Sequence, residues 1–318
     1  MPVVAAFATS HAYTFQDPET WDVRRTRSKA NVARKAGRPA SDTPQAQAET
    51  LEDNRRRYAR IRDAHAQIRS RLAQSKADAV ILIGDDQSEN FGSDNMPQLL
   101  VYIGGEYVAD DYDRERAATI RNHPDVALKL VQGCVEEGFD VGYSTAFRDH
   151  KLLSHAHTEP ILYLVRESGI PVVPLFVNAV HPPAPSPARC YAFGQAMRRV
   201  IDRDLAGERI VLCASGGLSH FSPSHPWAHH VGPRYVGDIS VEFDRMIVEW
   251  MRVGEGHRLA ALSARELIEH GQGELRQWIV LLGALGTCRP EFLVYEPLFR
   301  SIMGMGVGYW ALPQETNG

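Results

Sequence analysis

The sequence is poor in cysteine and contains no long apolar run. Its four cysteines, among 318 residues, lie far apart and form no CxxC pair. This spacing argues against a zinc ribbon or a thioredoxin-type motif and favours reduced, structural thiols. The longest apolar run, at residues 278–285, is far shorter than the ~20 residues that a membrane-spanning helix needs. Because the N-terminus also lacks the basic start of a secretory signal, we expect a soluble, cytoplasmic protein.

Positive charge is not in excess. The 35 Lys and Arg residues are outnumbered by 39 Asp and Glu residues, which gives a net charge of −4. No general electrostatic attraction therefore draws the chain to nucleic acid or to a membrane. Hydrophobic residues make up 44% and charged residues 23% of the chain, which excludes a largely disordered protein. We expect a single α/β domain over residues 1–318, with a basic and helical insertion at about 18–76.

Short apolar runs alternate with amphipathic segments along the chain. The apolar runs predict buried strands at 3–8, 78–83, 139–143, 172–177 and 210–214. Helical periodicity predicts helices at 48–74, 123–137, 188–202, 238–252 and 273–286. Residues 303–310 are interpreted as a glycine-rich tail. This alternation predicts an α/β fold with a central, largely parallel or mixed β-sheet flanked by helices.

Three of the predicted strands end in polar residues. Ser10-His11 follows the first strand, Asp85-Asp86-Gln87 follows the second, and Ser219-His220 follows the strand at 210–214. In open α/β sheets, ligands bind at the carboxyl ends of the strands. A single histidine at a strand end is usually structural, but three such ends in one sheet favour a functional site.

Two further segments carry residues suited to metal or acid-base chemistry. Glu242 lies at the edge of the apolar face of the predicted helix at 238–252, where a carboxylate is costly unless it is paired or bound to a metal. A salt bridge to an arginine is the open alternative. His155 and His157 form an HxH pair, which can chelate a metal when it lies on a strand. Alternatively, one of the two acts as an acid or hydrogen-bond donor at a substrate site.

A dense run of arginine and lysine occupies residues 24–38. We interpret it as a solvated insertion or an arm that contacts another subunit. Binding of an anion, such as an acidic substrate, is the alternative.

These segments together resemble the class III extradiol ring-cleavage dioxygenases, typified by the catalytic β subunit of protocatechuate 4,5-dioxygenase. The resemblance extends from residue 3 to about 310, apart from the basic insertion, and its specificity comes from the order and spacing of the segments. The segments that carry it are Thr9-Ser10-His11, DAVILIGDDQ at 78–87, SHAHTEP at 154–160, the proline-rich stretch at 171–199, ASGGLSH at 214–220 and VEFD at 241–244.

The resemblance implies an enzyme that uses Fe(II) and O₂ to open the ring of a catechol-like substrate, next to rather than between the two oxygens. Protocatechuate- or gallate-type acids and hydroxypyridones are the implied substrates. Carried over by position, His11 and Glu242 are the implied iron ligands. His220 is the implied acid/base residue, and His155 is an implied second histidine near substrate and oxygen.

The chain departs from the family pattern at one metal position. Gln87 stands where the family has its second iron-binding histidine, and an amide oxygen is a weaker ligand than imidazole. Gln87 is our predicted third metal ligand, with Asp86 or Glu89 as its possible replacements. Loss of the metal would instead indicate a non-catalytic paralogue or partner subunit, and a zinc hydrolase on the same scaffold is a further alternative. The family resemblance also implies a homo-oligomer, a dimer or larger, with the 18–76 insertion in the place of a small companion subunit that some relatives need.

Overall fold

The computed structural model describes residues 1–37, 39–110, 116–147, 152–223, 225–226, 230 and 232–312. The strands are β1 (Val3–Thr9), β2 (Ala79–Gly84), β3 (Leu99–Tyr102), β4 (Glu106–Asp110), β5 (Ala117–Arg121), β6 (Gly142–Ser144), β7 (Val172–Val177), β8 (Ile210–Ser215), β9 (Phe292–Leu298) and β10 (Met303–Ala311). The α-helices are α1 (Pro18–Ala36), α2 (Pro44–Ala48), α3 (Leu51–Ser75), α4 (Pro124–Glu136), α5 (His155–Pro160), α6 (Pro187–Asp204), α7 (Val241–Arg252), α8 (Ala264–Glu269) and α9 (Leu275–Leu285).

The main sheet is mixed and has eight strands in the described part of the chain. Their order is β6-β3-β7-β2-β8-β1-β10-β9, and β4 and β5 form a separate antiparallel pair. The four central strands β7, β2, β8 and β1 run parallel to one another. β3 pairs antiparallel with β7, and β10 pairs antiparallel with β1. The α/β fold with a mixed sheet expected from the sequence is confirmed.

Both faces of the central strands are buried, which explains their continuous apolar sequences. Every residue of β2, β7 and β8 is buried, as expected for parallel strands covered by helices on both sides. One face packs against α4, α6, α7 and α9, and the other packs against α3 and the segment around α5. The central sheet is therefore a rigid support for whatever lies at its strand ends.

Helix α3 covers the second face of the sheet. It begins at the N-cap Thr50, whose side chain accepts a hydrogen bond from the backbone nitrogen of Asp53, and it buries Tyr58, Ile61 and Ile68. It packs against β1, β9 and β10, so the C-terminal half of the predicted insertion is a core helix. The single catalytic domain over 1–318 remains a prediction. Among the described residues, no helix combines the length and the apolar character needed to cross a membrane.

Two sequence-based element predictions are wrong. The strand expected at 139–143 is shifted and short, since only β6 at Gly142–Ser144 pairs with β3. The glycine-rich segment at 303–310 is not a loose tail but β10, whose first eight residues are buried. A Cβ on Gly306 would lie 3.3 Å from the side chains of both Leu218 and Trp278. Glycine therefore allows this strand to pack closely against residues behind the candidate site.

Candidate active site

The three polar strand ends predicted from the sequence meet at one edge of the sheet. β2, β8 and β1 are neighbours in the sheet and run parallel, so their carboxyl ends lie side by side. His11 follows β1, Asp85 follows β2, and the loop that carries His220 follows β8. The edge where an open α/β sheet binds its ligands is thus the edge where these side chains converge.

A buried cluster of three side chains lies at this edge. One ligand atom each from His11, Asp85 and Glu274 falls within 4.8 Å of the others. His11 Nε2 lies 3.5 Å from Glu274 Oε2, and His11 Nδ1 lies 3.3 Å from the Ser215 hydroxyl. Burial lowers the pKa of His11 to about 4, so its imidazole is neutral and available as a ligand.

Asp85 is the residue in this cluster that most clearly points to a metal. Its side chain is fully buried, and neither carboxylate oxygen has a hydrogen-bond partner among the described residues. Burial, reinforced by the charge of Glu274, raises the pKa of Asp85 well above its usual range. An unpartnered buried carboxylate is costly unless a cation lies against it. One imidazole and two carboxylates, of which Asp85 has unpartnered oxygens, therefore fit a divalent metal ion such as Fe(II).

Glu274, at the start of α9, connects the cluster to the surrounding loops. Its Oε1 accepts from Gln87 Nε2 at 2.8 Å and lies 3.2 Å from His220 Nε2. Its Oε2 accepts from the backbone nitrogen of Gly217 at 3.1 Å. Burial alone would raise the pKa of Glu274. The neighbouring His220 and His11 outweigh this effect and hold the pKa well below its usual range. Glu274 is therefore ionised and firmly oriented.

One ring nitrogen of His220 is engaged in a hydrogen bond to the backbone. Its Nδ1 donates to the carbonyl of Leu218 at 2.8 Å, which leaves Nε2 for exchange with a partner. Burial opposes protonation, but Glu274 overcomes it and raises the pKa of His220 to about 9. The residue before it, Ser219, is fixed by the buried carboxylate of Asp244 on α7.

His155 and His157 have different environments because they lie on a helix, α5, and not on a strand. His155 Nδ1 lies 2.9 Å from both carboxylate oxygens of Glu89, and its ring meets that of His11 edge-on at 4.9 Å. Burial opposes protonation of His155, but Glu89 raises its pKa to about 10. His157 instead bonds to the Ser154 hydroxyl and the Leu175 carbonyl in the core. The two histidines therefore do not form a chelating pair.

The two predicted substitutes for Gln87 have other partners. Asp86 accepts hydrogen bonds from the backbone nitrogens of residues 88–91 and so shapes the loop after β2. Glu89 holds the backbone and ring of His155. Gln87 itself lies in the site but contacts Glu274 through its amide nitrogen. Asp85, which sequence reasoning did not select, is the residue of this loop that lies in the buried cluster with His11 and Glu274.

Glu242, the predicted carboxylate ligand, does not belong to the cluster of His11, Asp85 and Glu274. Glu242 is exposed on α7, and the residue that α7 buries is Asp244. The carboxylate beside His11 is Glu274. Its sequence signal was available, since a Gly-Gln-Gly-Glu segment directly precedes the most apolar helix of the chain. Glu274, at the start of this helix, is buried with it.

A cavity of about 270 Å³ opens above this cluster. Its floor includes His11, His155 and His220, so the structure brings three of the predicted site residues, together with Gln87, into one pocket. Helix α1, which carries most of the basic stretch, also lines this cavity. The lining residues from α1 are Arg24, Arg27, Ser28, Asn31 and Lys35.

Comparison with known proteins agrees with this geometry. Residues 43–306 match the family described as the catalytic LigB subunit of aromatic ring-opening dioxygenase. A 2,3-dihydroxyphenylpropionate/2,3-dihydroxicinnamic acid 1,2-dioxygenase from Klebsiella pneumoniae is 28% identical over 283 residues, which are 76% of this chain and 88% of that protein. The enzyme of the same name from Rhodococcus rhodochrous is 25% identical over 291 residues, covering 78% of this chain and 89% of that protein.

The fold is also found in a crystal structure of an uncharacterized protein from Escherichia coli K12. The two chains superpose with a TM-score of 0.50 and 13% identity, over 96% of this chain and 99% of the other. At that identity the likeness concerns the fold alone.

The chain belongs to the LigB family of aromatic ring-opening dioxygenases, the class III extradiol enzymes, because the match covers most of its length. The family resemblance expected from the sequence is confirmed. Membership of this family assigns the chain to the ring-cleaving dioxygenases.

Proposed function

We propose that this protein is an Fe(II)-dependent extradiol dioxygenase that opens the ring of a catechol-like substrate. The observation that carries the proposal is the buried cluster of His11, Asp85 and Glu274 below a cavity that His155 and His220 also line. The relatives named above act on 2,3-dihydroxyphenylpropionate. That compound, protocatechuate, gallate and a hydroxypyridone are therefore the substrates to test.

In this proposal His11, Asp85 and Glu274 hold the metal, and Gln87 is not a ligand. Gln87 instead donates to Glu274 Oε1 and keeps that carboxylate oriented. Fe(II) held there would supply a Lewis acid for the diol and an electron source for O₂. The donor set has one imidazole and two carboxylates, where the family pattern has two imidazoles and one carboxylate. The second carboxylate comes from Asp85, two residues before the position of the missing histidine.

His220 is the proposed acid/base residue. The bond from Nδ1 to the Leu218 carbonyl fixes the ring and leaves Nε2 to exchange a proton with the substrate hydroxyl. Its location at the cavity wall allows this exchange. In the metal-free protein Glu274 raises the pKa of His220 to about 9, so Nε2 carries a proton; a metal ion bound to Glu274 would offset that charge and let Nε2 accept a proton from the substrate and later return it.

His155 is the proposed charged partner of the bound substrate. Glu89 keeps its imidazole protonated, since the pair raises the pKa of His155 to about 10. A protonated imidazole at the cavity wall donates a hydrogen bond to an anionic oxygen of the substrate and stabilises charge that develops during the reaction.

The test is anaerobic loading with Fe(II), followed by O₂ consumption with the four aromatic compounds. Wild type should consume O₂ and give a yellow ring-opened product with at least one of them. His220→Ala should keep its iron but lose activity by roughly 100-fold or more, the range expected for loss of an acid/base group.

Two carboxylate variants test the metal assignment in the same experiment. Glu274→Gln should retain little iron, whereas Glu242→Gln, exposed on α7, should retain iron and activity as in wild type. Iron-loaded protein that consumes no O₂ with any aromatic diol would overturn the proposed activity. Undiminished iron binding in Glu274→Gln would overturn the proposed ligand set.

A further inference from the structure

Helix α1 presents one continuous polar stripe to the cavity. The stripe consists of Arg24, Arg27, Ser28, Asn31 and Lys35, which recur at spacings of three or four residues and therefore share a helix face. Tyr13, which also lines the cavity, bonds to the Ser28 hydroxyl at 3.1 Å. The helix is thus attached directly beside His11, and its cations face the cavity above the buried cluster.

The described cavity lining contains three cationic residues of α1 and no Asp or Glu. Two carboxylates of the site do not line the cavity and are engaged with histidines, Glu274 with His11 and His220, and Glu89 with His155. The third, Asp85, is buried and has no hydrogen-bond partner among the described residues. The cavity therefore has a positive wall at α1 and the buried metal-type cluster at its floor. An aromatic ligand that spans them needs oxygens at one end and an anionic group at the other.

Two other cations of α1 are already paired with carboxylates. Arg25 and Lys29 both contact Asp42, at 2.8 and 2.9 Å. Arg27, in contrast, forms no hydrogen bond or ion pair with any residue that the structure describes. It is exposed at the cavity rim and is available to a ligand. Arg24 faces the same cavity and also acts electrostatically on the buried Glu159.

Lys35 fixes the far end of the helix. Its ammonium donates to the carbonyl of Pro223 at 2.9 Å, in the loop that follows His220. Because α1 lies before residue 43, where the family match begins, this cationic wall is not part of the matched region.

We propose that α1 determines substrate specificity by binding the carboxylate of an aromatic diol acid, with Arg27 as its principal contact and Arg24 as the second. Guanidinium groups bind carboxylates through two parallel hydrogen bonds, so they bind an acid more tightly than its neutral analogue. This inference rests on the proposed function for the diol end of the substrate. It adds that the substituent of the ring is anionic and points to α1.

The experiment compares 3-(2,3-dihydroxyphenyl)propionate with its primary amide, which has the same shape without the charge. Binding to Fe(II)-loaded protein is measured anaerobically by calorimetry, and kcat/KM is measured by O₂ uptake. Wild type should bind the acid about tenfold or more tightly than the amide, as expected for hydrogen bonds to a charged group. Arg27→Gln should weaken binding and raise KM for the acid about tenfold, with little change for the amide or in kcat.

Lys29→Gln is the matched control, because it removes a cation of the same helix that is paired with Asp42. It should preserve the preference for the acid. The proposal would be overturned if wild type bound the acid and the amide equally well or bound neither. It would also be overturned if Arg27→Gln and Lys29→Gln had equal effects. Since the binding measurement involves no turnover, loss of ring opening with every diol would overturn the proposed function separately.

Discussion

The carboxylate of Asp244 accepts two hydrogen bonds from Ser219, one from its backbone nitrogen at 3.1 Å and one from its hydroxyl at 2.7 Å. Tyr295 donates a third, at 2.6 Å, to the same carboxylate. Ser219 directly precedes His220, so a buried side chain on α7 fixes the backbone from which the proposed acid/base residue projects. Asp244 is therefore a positioning residue, although it does not line the described cavity.

Replacing Asp244 by asparagine should damage catalysis without removing the metal. The amide presents a donor to groups that are themselves donors, so we expect a loss of about 1–3 kcal/mol in unfolding free energy. With His220 less firmly placed, kcat should fall more than tenfold, whereas KM and iron content change little. Glu242→Gln, on the exposed face of the same helix, is the control for a carboxylate change on α7. A loss of iron in Asp244→Asn would contradict this account.

Asp85 and Asp86 are adjacent, but their substitution should have opposite effects. Asp85→Asn removes a buried charge with no hydrogen-bond partner among the described residues, so the metal-free protein should be as stable as wild type or more stable. Its affinity for Fe(II) should fall at least tenfold. Asp86→Ala removes the acceptor for several backbone nitrogens of the loop at 88–91, and it should destabilise the metal-free protein by about 1–3 kcal/mol.

Thermal unfolding and metal titration of these two variants decide between the assignments. If Asp86→Ala weakens metal binding in a still-folded protein more than Asp85→Asn does, then Asp86, as considered from the sequence, is the ligand after all.

Glu159 predicts a pH dependence of stability. Burial raises the pKa of its carboxyl from 4.5 to about 7, partly offset by His155 and by the hydrogen bond from the Ala12 nitrogen. A carboxyl whose pKa is higher in the folded protein contributes its full stability below 4.5, and that contribution is lost as the pH rises through about 7. At about 1.4 kcal/mol per pKa unit, the loss amounts to roughly 3 kcal/mol.

Glu159→Gln should therefore gain stability relative to wild type between pH 5 and pH 8. The amide oxygen can still accept from Ala12, and the neutral side chain has no charge to bury. Urea denaturation of the metal-free protein at both pH values measures the difference. Glu167→Gln, on an exposed position nearby, should show no comparable change. A constant difference between Glu159→Gln and wild type across this range would contradict the assignment.

Sequence reasoning located the sheet edge of the site because apolar strands end abruptly in polar residues. His11, Gln87 and His220 follow three neighbouring strands and line one cavity. It did not locate the carboxylates correctly. Helical spacing placed Glu242 at the edge of an apolar face, but α7 begins at Val241 and turns Glu242 outward while it buries Asp244. The buried face of α7 includes Val248 and Met251 rather than Trp250, and this rotation of the face places Asp244 inside and Glu242 outside.

Asp85 and β10 were missed for different physical reasons. Each residue after a strand can point to either side until the loop is fixed, and here Asp86 fixes it by accepting from the following backbone nitrogens. Glycine weakens strand propensity, so the segment at 303–310 gave no strand signal. The tertiary packing of Gly306 against Leu218 and Trp278 overrides that propensity.

Strand β1 lies between β8 and β10 and is held by both of them. The backbone nitrogen of Ser10 donates to the Gly306 carbonyl at 2.9 Å, and the Gly306 nitrogen donates to the Ser10 hydroxyl at 2.9 Å. His11 is synthesised long before β8 and β10, the two strands that hold β1 in the sheet. During translation, the N-terminal strand must therefore wait for most of the chain before its histidine reaches its final position, and catalytic competence should appear only after β10 has left the ribosome.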